Sequence, residues 1–249
     1  MSGHSKWATI KRKKAVTDQK RGKAFTQIIK EITIAARMGG GDPKGNPRLR
    51  LAIDKAKAAN MPADNIKRGI QKGTGELPGV VYEDVMYEGY GPGGVAMIVE
   101  SVTDNKNRTV SEVRNIFERH NGKLGAANSV AYMFHRKGII HVPKSAFSED
   151  ELLGIILEAG AEDLKTDQET FEIVTAPEAF EKVRQTLESK NIKMEIAEVE
   201  MIPENTVKVE GKEAEQVLKL VEMLEEHDDV QHVYANFDID EKVLAGFQV

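Results

Sequence analysis

The segment Gly73-Thr74-Gly75-Glu76-Leu77-Pro78-Gly79 separates two regions of different periodicity, and its glycines and proline mark it as a linker. On its N-terminal side apolar residues recur at helical spacing. Phe25, Ile28, Ile29, Ile32 and Ala36 form one stripe that Gly39-Gly40-Gly41 stops. Asn46-Pro47 then supplies an N-cap and a first-turn proline, and Leu49, Ala52, Ile53 and Ala56 repeat the stripe as far as Asn60. Pro62 opens a third helix with Asp64 in its first turn and Ile66 and Ile70 on one face, closed by Gly73. These residues predict a small three-helix domain, preceded by a basic arm, within residues 1–77.

On the C-terminal side the runs become strand-like. Val80–Tyr87 and Val95–Val102, separated by Gly89-Tyr90-Gly91-Pro92-Gly93-Gly94, predict a hairpin. Thr109-Val110-Ser111-Glu112 has capping-box spacing, and Val110, Val113, Ile116 and Phe117 form the buried stripe of a helix ending near Gly122. Further strand-like runs follow at Ser129–Phe134 and Ile139–Val142. From Ile139 to Ile202 the order reads βαββαβ, the ferredoxin-like split unit. The tail adds a strand at Val207–Val209, a helix through Val217, Leu220, Val221 and Leu224, and a strand at Val230–Phe237. Single helices alternating with paired strands predict a multidomain α+β protein and not a doubly wound parallel sheet. Residues 78–137 and 205–249 each hold few elements, so one reading joins them into a discontinuous domain with 138–204 inserted. The other reading has three consecutive domains.

Composition narrows the chemistry. Of 249 residues, 40% are hydrophobic and 30% charged, as in a folded globular chain. No apolar run approaches the ~18 residues of a membrane span, and the N-terminus has no apolar stretch, so neither secretion nor membrane insertion is expected. With no Cys there is no disulfide framework, thiolate zinc site, iron–sulfur cluster or thiol nucleophile. The net charge of −5 conceals a strong asymmetry. Residues 1–75 contain 18 Lys and Arg against 5 Asp and Glu; residues 145–249 contain 9 against 27. A basic first third joined to an acidic remainder suits a polyanion-binding module on soluble domains.

The letters Gly89 to Gly94 match GxGxxG, but Val95–Glu100 has strand composition, so a hairpin turn explains them better than a dinucleotide site. No P-loop, HExxH or GxSxG occurs. His135 and His141 would stand ~20 Å apart on a strand. The chain is therefore expected to be no enzyme, with no cofactor, metal or small-molecule substrate. A competing class, a magnesium-dependent enzyme acting on nucleic acid, would need the acidic half to converge carboxylates on one or two ions. The candidate nucleic-acid-binding residues are Lys6, Trp7, Lys11, Arg12, Lys13, Lys14, Lys20, Arg21 and Lys23 of the arm, with Arg37, Arg48 and Arg50 from the helices. Cations neutralise phosphates, and Trp7 could stack on a base or anchor the arm on the bundle. Lys106 and Arg108, with Arg114 a turn beyond, flank a predicted helix N-terminus, a setting favourable to phosphate. No base-reading helix or zinc-finger spacing is present.

Gly3-His4-Ser5-Lys6-Trp7, Lys23-Ala24-Phe25-Thr26, Gly39-Gly40-Gly41-Asp42-Pro43, Asn46-Pro47-Arg48-Leu49-Arg50, Asn60-Met61-Pro62, Gly89 to Gly94 and Ser129-Val130-Ala131-Tyr132-Met133-Phe134 together resemble the YebC/PmpR family from end to end. The resemblance implies a helical N-terminal domain and two α+β domains, the ferredoxin-like one inserted in the other. It further implies a cytoplasmic, non-enzymatic regulator of gene expression that binds nucleic acid. The family is described as probable DNA-binding transcriptional regulators. Its relatives include a mitochondrial translational activator and bacterial factors that help the ribosome through proline-rich stretches. Ribosome and ribosomal RNA are thus expected partners alongside DNA, with the ribosome the stronger. Lys123-Leu124-Gly125-Ala126-Ala127-Asn128 departs from the family's usual glycine-rich loop, although Asn128 can still adopt a left-handed conformation.

Overall fold

The computed structural model describes Trp7, residues 18–167 and residues 169–247. Helices α1 (Asp18–Gly39), α2 (Pro47–Ala58) and α3 (Ala63–Thr74) form the N-terminal unit. Helix α1 starts before the predicted stripe, so Lys20, Arg21 and Lys23 of the expected arm are helical. Gln, Lys, Arg and Ala at these positions are good helix formers, and Asp18 suits a helix N-terminus. Asn46 caps α2 by accepting from the Leu49 N–H at 3.1 Å, while its amide donates to the carbonyls of Ala35 and Gly40 at 2.8 and 2.9 Å. One side chain therefore ties the end of α1 to the start of α2. Helices α1 and α3 meet through glycine: a Cβ on Gly73 would lie 2.3 Å from the Thr33 carbonyl oxygen. Ile32, Ala36, Leu49, Ala52 and Ala56 fill the core between the three helices.

Two antiparallel four-stranded sheets follow. The first comprises β1 (Glu83–Tyr90), β2 (Ala96–Thr103), β3 (Lys123–Leu124) and β9 (Val230–Ala235), in the order β3-β1-β2-β9. Strand β1 begins three residues later than predicted, because Val80 and Val81 are exposed in the linker and find no partner strand. The β1–β2 turn needs Gly93 and Gly94, at φ 70° and 77°, and leads straight into a strand, so no helix N-terminus meets it. Helices α4 (Lys106–Arg119) and α7 (Gly211–Glu225) cover one face of this sheet, packing Val113, Phe117, Val217 and Leu220 against Met97, Val99 and Val233.

The second sheet, β5-β6-β4-β7, comprises β4 (Phe134–Pro143), β5 (Asp163–Thr166), β6 (Thr170–Thr175) and β7 (Ile196–Pro203). Helices α5 (Glu149–Ala159) and α6 (Pro177–Ser189) bury Leu152, Ile156, Phe180 and Val183 against its Ile140, Val142 and Ile173. The tail contains β8 (Val207–Lys208) paired in parallel with β10 (Phe237–Asp238), and a final α8 (Glu241–Gly246). Strand β9 thus returns to β2 from beyond the whole second sheet. Among the described residues no helix is long and apolar enough to cross a membrane.

Two predicted elements are corrected. Ser129–Met133 is not a strand but a loop with a 3₁₀ turn at Ala131–Met133, and of the predicted run only Phe134 is in a strand, where it opens β4. The buried carboxylate of Glu88 accepts the N–H groups of Asn128, Val130 and Ala131 at 2.6 to 2.8 Å, which removes them from any ladder. Asn128 takes the left-handed conformation, at φ 63°. Burial alone would raise the Glu88 carboxyl, but the N–H groups of Val130, Asn128 and Ala131 outweigh it and hold the group below the usual carboxylate range. The capping box at Thr109 is likewise displaced. Asn105 caps α4 by accepting from the Arg108 N–H, and Thr109 lies inside the helix with its hydroxyl directed at Asp229.

Asp229 is the hub between the helical unit and the first sheet. Its side chain is 4% exposed and accepts from Lys30 Nζ of α1 at 2.6 Å, and from Arg108 Nη2 and Thr109 Oγ1 of α4 at 2.7 Å each. Lys30 also donates to the Asp228 carbonyl, and Gln27 to the Val230 carbonyl. Burial opposes ionisation of Asp229, yet the hydrogen bonds from Lys30, Arg108 and Thr109 prevail and hold the carboxyl far below its ordinary range.

The hub and the clamped loop each generate a prediction. Asp229→Asn leaves Lys30 buried without its counter-charge and is expected to destabilise the protein by about 3 kcal/mol near neutral pH, read by denaturant unfolding. Because the folded-state pKa is depressed, this contribution is present above the unfolded carboxylate value and is lost as pH falls below ~4. The gap between wild type and variant should therefore close in acid. Glu88→Gln is expected to cost about 1 to 3 kcal/mol, with faster amide hydrogen exchange confined to residues 128, 130 and 131. Unchanged exchange there would show that the carboxylate does not order the loop.

Candidate nucleic-acid interface

The candidate cations sort by what their side chains already hold. Arg48 donates from Nε to Glu31 at 2.7 Å and from Nη1 to Asp84 at 2.8 Å, joining α1, α2 and the start of β1. Hydrogen bonding to Asp84 foremost raises its already high pKa. Arg50 reaches across to Glu181 of α6 at 2.5 Å and also donates to the carbonyls of Pro43 and Lys44. Lys106 pairs with Glu83 at 2.6 Å, and Arg108 with Asp104 and Asp229. These four residues act as struts: a guanidinium or ammonium held by carboxylates has part of its charge offset and offers fewer open donors to a phosphate.

Trp7 is expected either to stack on a base or to anchor the arm. Its side chain is fully buried in the core beneath the first sheet, with the Phe247 ring edge-on at 5.6 Å. In this arrangement the indole is packed within the α+β core, as the anchoring alternative requires. Lys6, Lys11, Arg12, Lys13 and Lys14 lie outside the described residues, as do the side chains of Lys20 and Arg21. Lys23 is half-buried along α1.

Of the predicted helical cations, Arg37 remains. It is exposed, forms no ion pair among the described residues, and donates from Nη1 to the Tyr82 carbonyl at 3.1 Å. Sequence reading missed its companions. Lys44, Lys57, Lys67, Arg68 and Lys72 are exposed and likewise form no ion pair among the described residues. On α3 the apolar positions Ile66, Gly69 and Ile70 face α1, which leaves Lys67, Arg68 and Lys72 on the outer face. The available signal was the i, i+4 spacing of Arg68 and Lys72 opposite that apolar stripe. It was obscured because acids near in space, unlike acids near in sequence, determine which cations are engaged.

Among the described residues one group of side chains has metal-ligand character. Glu112, His227 and Asp229 bring ligand-type atoms within 4.8 Å of one another. His227 Nε2 is 2.8 Å from Glu112, its Nδ1 accepts from the Asp229 N–H, and Asp229 is saturated by Lys30, Arg108 and Thr109. Cations and hydrogen-bond donors thus already fill the positions a metal would take, and the residues do not fit one.

Comparison with known proteins agrees with the architecture. Residues 5–76 match the TACO1/YebC protein N-terminal domain, and residues 82–237 match the TACO1/YebC second and third domain. A protein of Chlorobium luteolum named "Probable transcriptional regulatory protein" is 57% identical over the full length of both chains. One of the same name from Chloroherpeton thalassium is 59% identical over 98% of each. The crystal structure of a conserved hypothetical protein from Aquifex aeolicus superposes with a TM-score of 0.82 at 50% identity, covering 91% of this chain and 94% of that one. With both of its parts matched and identity above one half along its whole length, the chain belongs to the TACO1/YebC family.

Proposed function

We propose that this chain is a non-catalytic, cytoplasmic regulator of gene expression that binds nucleic acid through its N-terminal unit. The observation that carries this reading is the set of unpaired cations Arg37, Lys44, Lys57, Lys67, Arg68 and Lys72 on one small helical unit, within a segment of 18 basic and 5 acidic residues. The name shared by the bacterial relatives, probable transcriptional regulatory protein, supports the regulatory part. The domain division that goes with it is 1–77, 78–137 plus 205–249, and 138–204.

Ribosomal RNA is proposed as the stronger target, with relief of stalling at proline-rich stretches as the activity, and DNA as a partner of low sequence preference. Exposed cations spread over three helices and the loop at Lys44 suit phosphate contacts, which carry no sequence information by themselves. Promoter-specific DNA binding alone is the second reading, favoured by the relatives' name. Crosslinking in cells followed by sequencing of bound RNA and bound DNA separates them: ribosomal RNA enrichment is expected, and discrete promoter peaks without it would overturn the preference.

The division between struts and free cations is directly testable. Lys67→Gln with Arg68→Gln should reduce the slope of log affinity against log salt by up to about 1.8 on duplex DNA, at ~0.9 per lost phosphate contact, with little change in Tm. Arg48→Gln with Lys106→Gln should do the reverse, lowering Tm and leaving the slope near wild type.

A further inference from the structure

Between the C-terminal halves of α1 and α3 and the linker that follows them lies a cleft of about 370 Å³. Thr33, Arg37, Lys72, Thr74, Gly79 and Tyr82 are among its lining residues; among the described residues no acidic side chain lines it, and the nearby Glu76 carboxylate accepts from the Thr74 hydroxyl at 3.2 Å. Close helix contact creates it. Gly73 lets α3 approach the Thr33 carbonyl, which brings Arg37 of one helix and Lys72 of the other to the same opening. The linker then folds back, placing Gly79 against the Lys72 stem, where an added Cβ would be 3.2 Å from Lys72 Cβ and Cγ. Exposed Val80 and Val81 give the opening an apolar lip.

We infer that this cleft seats a phosphodiester group of the bound nucleic acid, with Arg37 and Lys72 as its cationic ligands and the Val80–Val81 lip against the adjoining sugar. The assignment rests on the nucleic-acid reading above for the source of the phosphate. Both cations occupy the last turn of their helices, where carbonyl ends carry about −0.5 charge each. Two full positive charges against two such ends leave roughly one positive charge in excess. Arg37 is already oriented by its bond to the Tyr82 carbonyl, which engages Nη1 and leaves its other donors open. A single phosphodiester carries one negative charge, matching that excess, and its two free oxygens can accept from the guanidinium and the ammonium together.

The test uses the full chain, labelled with ¹⁵N, titrated separately with a ribodinucleotide, inorganic phosphate and a 20-nucleotide RNA. The amides of residues 73–79 are expected to shift saturably with the dinucleotide and the RNA. Lys72→Gln should abolish these shifts and lower the salt slope on single-stranded RNA by about 0.7, while Lys72→Arg retains them and Lys67→Gln leaves the cleft amides responding as in wild type. Shifts with inorganic phosphate and none with the dinucleotide would overturn the phosphodiester assignment. If RNA binds Lys72→Gln with the wild-type slope and the cleft amides stay still in the wild type, the cleft assignment fails and the nucleic-acid reading stands. If the wild type binds neither RNA nor DNA, that reading fails, and the assignment falls with it.

Discussion

One buried carboxylate holds the molecule's parts in register. Asp229 sits just before β9 and takes a hydrogen bond from α1 and two from α4, so the helical unit, the helix covering the first sheet and the returning C-terminal strand converge on it. An isolated charge so placed would be costly to desolvate, by several kcal/mol. Its depressed pKa reflects how completely Lys30, Arg108 and Thr109 offset that cost. Orientation follows from the same contacts: α1 cannot rotate on the sheet without exposing Lys30 or stranding Asp229.

The charge asymmetry along the chain acquires two roles from this arrangement. Acids of the C-terminal part, Glu181, Glu198 and Asp229, pair with Arg50, Lys55 and Lys30 of the basic first third. These pairs bind the helical unit to both sheets. Arg136 of β4 meets Glu100 of β2 at 2.6 Å, and Ile98, Val130, Phe134 and Tyr234 form a small apolar cluster where the two sheets adjoin. What remains unpaired on the helical unit is therefore a residue of the basic excess, left after the struts are satisfied. Partly buried pairs at junctions are screened less by salt than exposed ones, so raising ionic strength should screen the unpaired cations well before it loosens the frame.

Glu88 shows the same economy on a smaller scale. A carboxylate of β1 collects the loop N–H groups of residues 128, 130 and 131 and replaces what would have been a strand with an ordered turn. Trp7 does so with apolar surface, packing in a core whose other buried residues lie 80 or more positions away. In both cases a local residue type leaves open several outcomes, and the long-range partner selects one.

The sequence alone determined what depends on near neighbours: the three helical stripes, the Asn46 cap, the glycine turn at 91–94, the βαββαβ order and the concentration of positive charge in residues 1–75. Helix periodicity and capping act over a few residues and are written in spacing. Tertiary structure decided the rest. Thr109 has the spacing of a cap and is instead a hub ligand; Ser129–Met133 has strand composition and is instead a loop held by Glu88. Above all, only the folded chain separates Arg48, Arg50, Lys106 and Arg108, which are held by acids from elsewhere in the chain, from Lys67, Arg68 and Lys72, which are not. The physical reason is range: a side chain's charge is set by its type, whereas its availability to a ligand depends on every counter-charge within a few ångströms, and those come from across the fold.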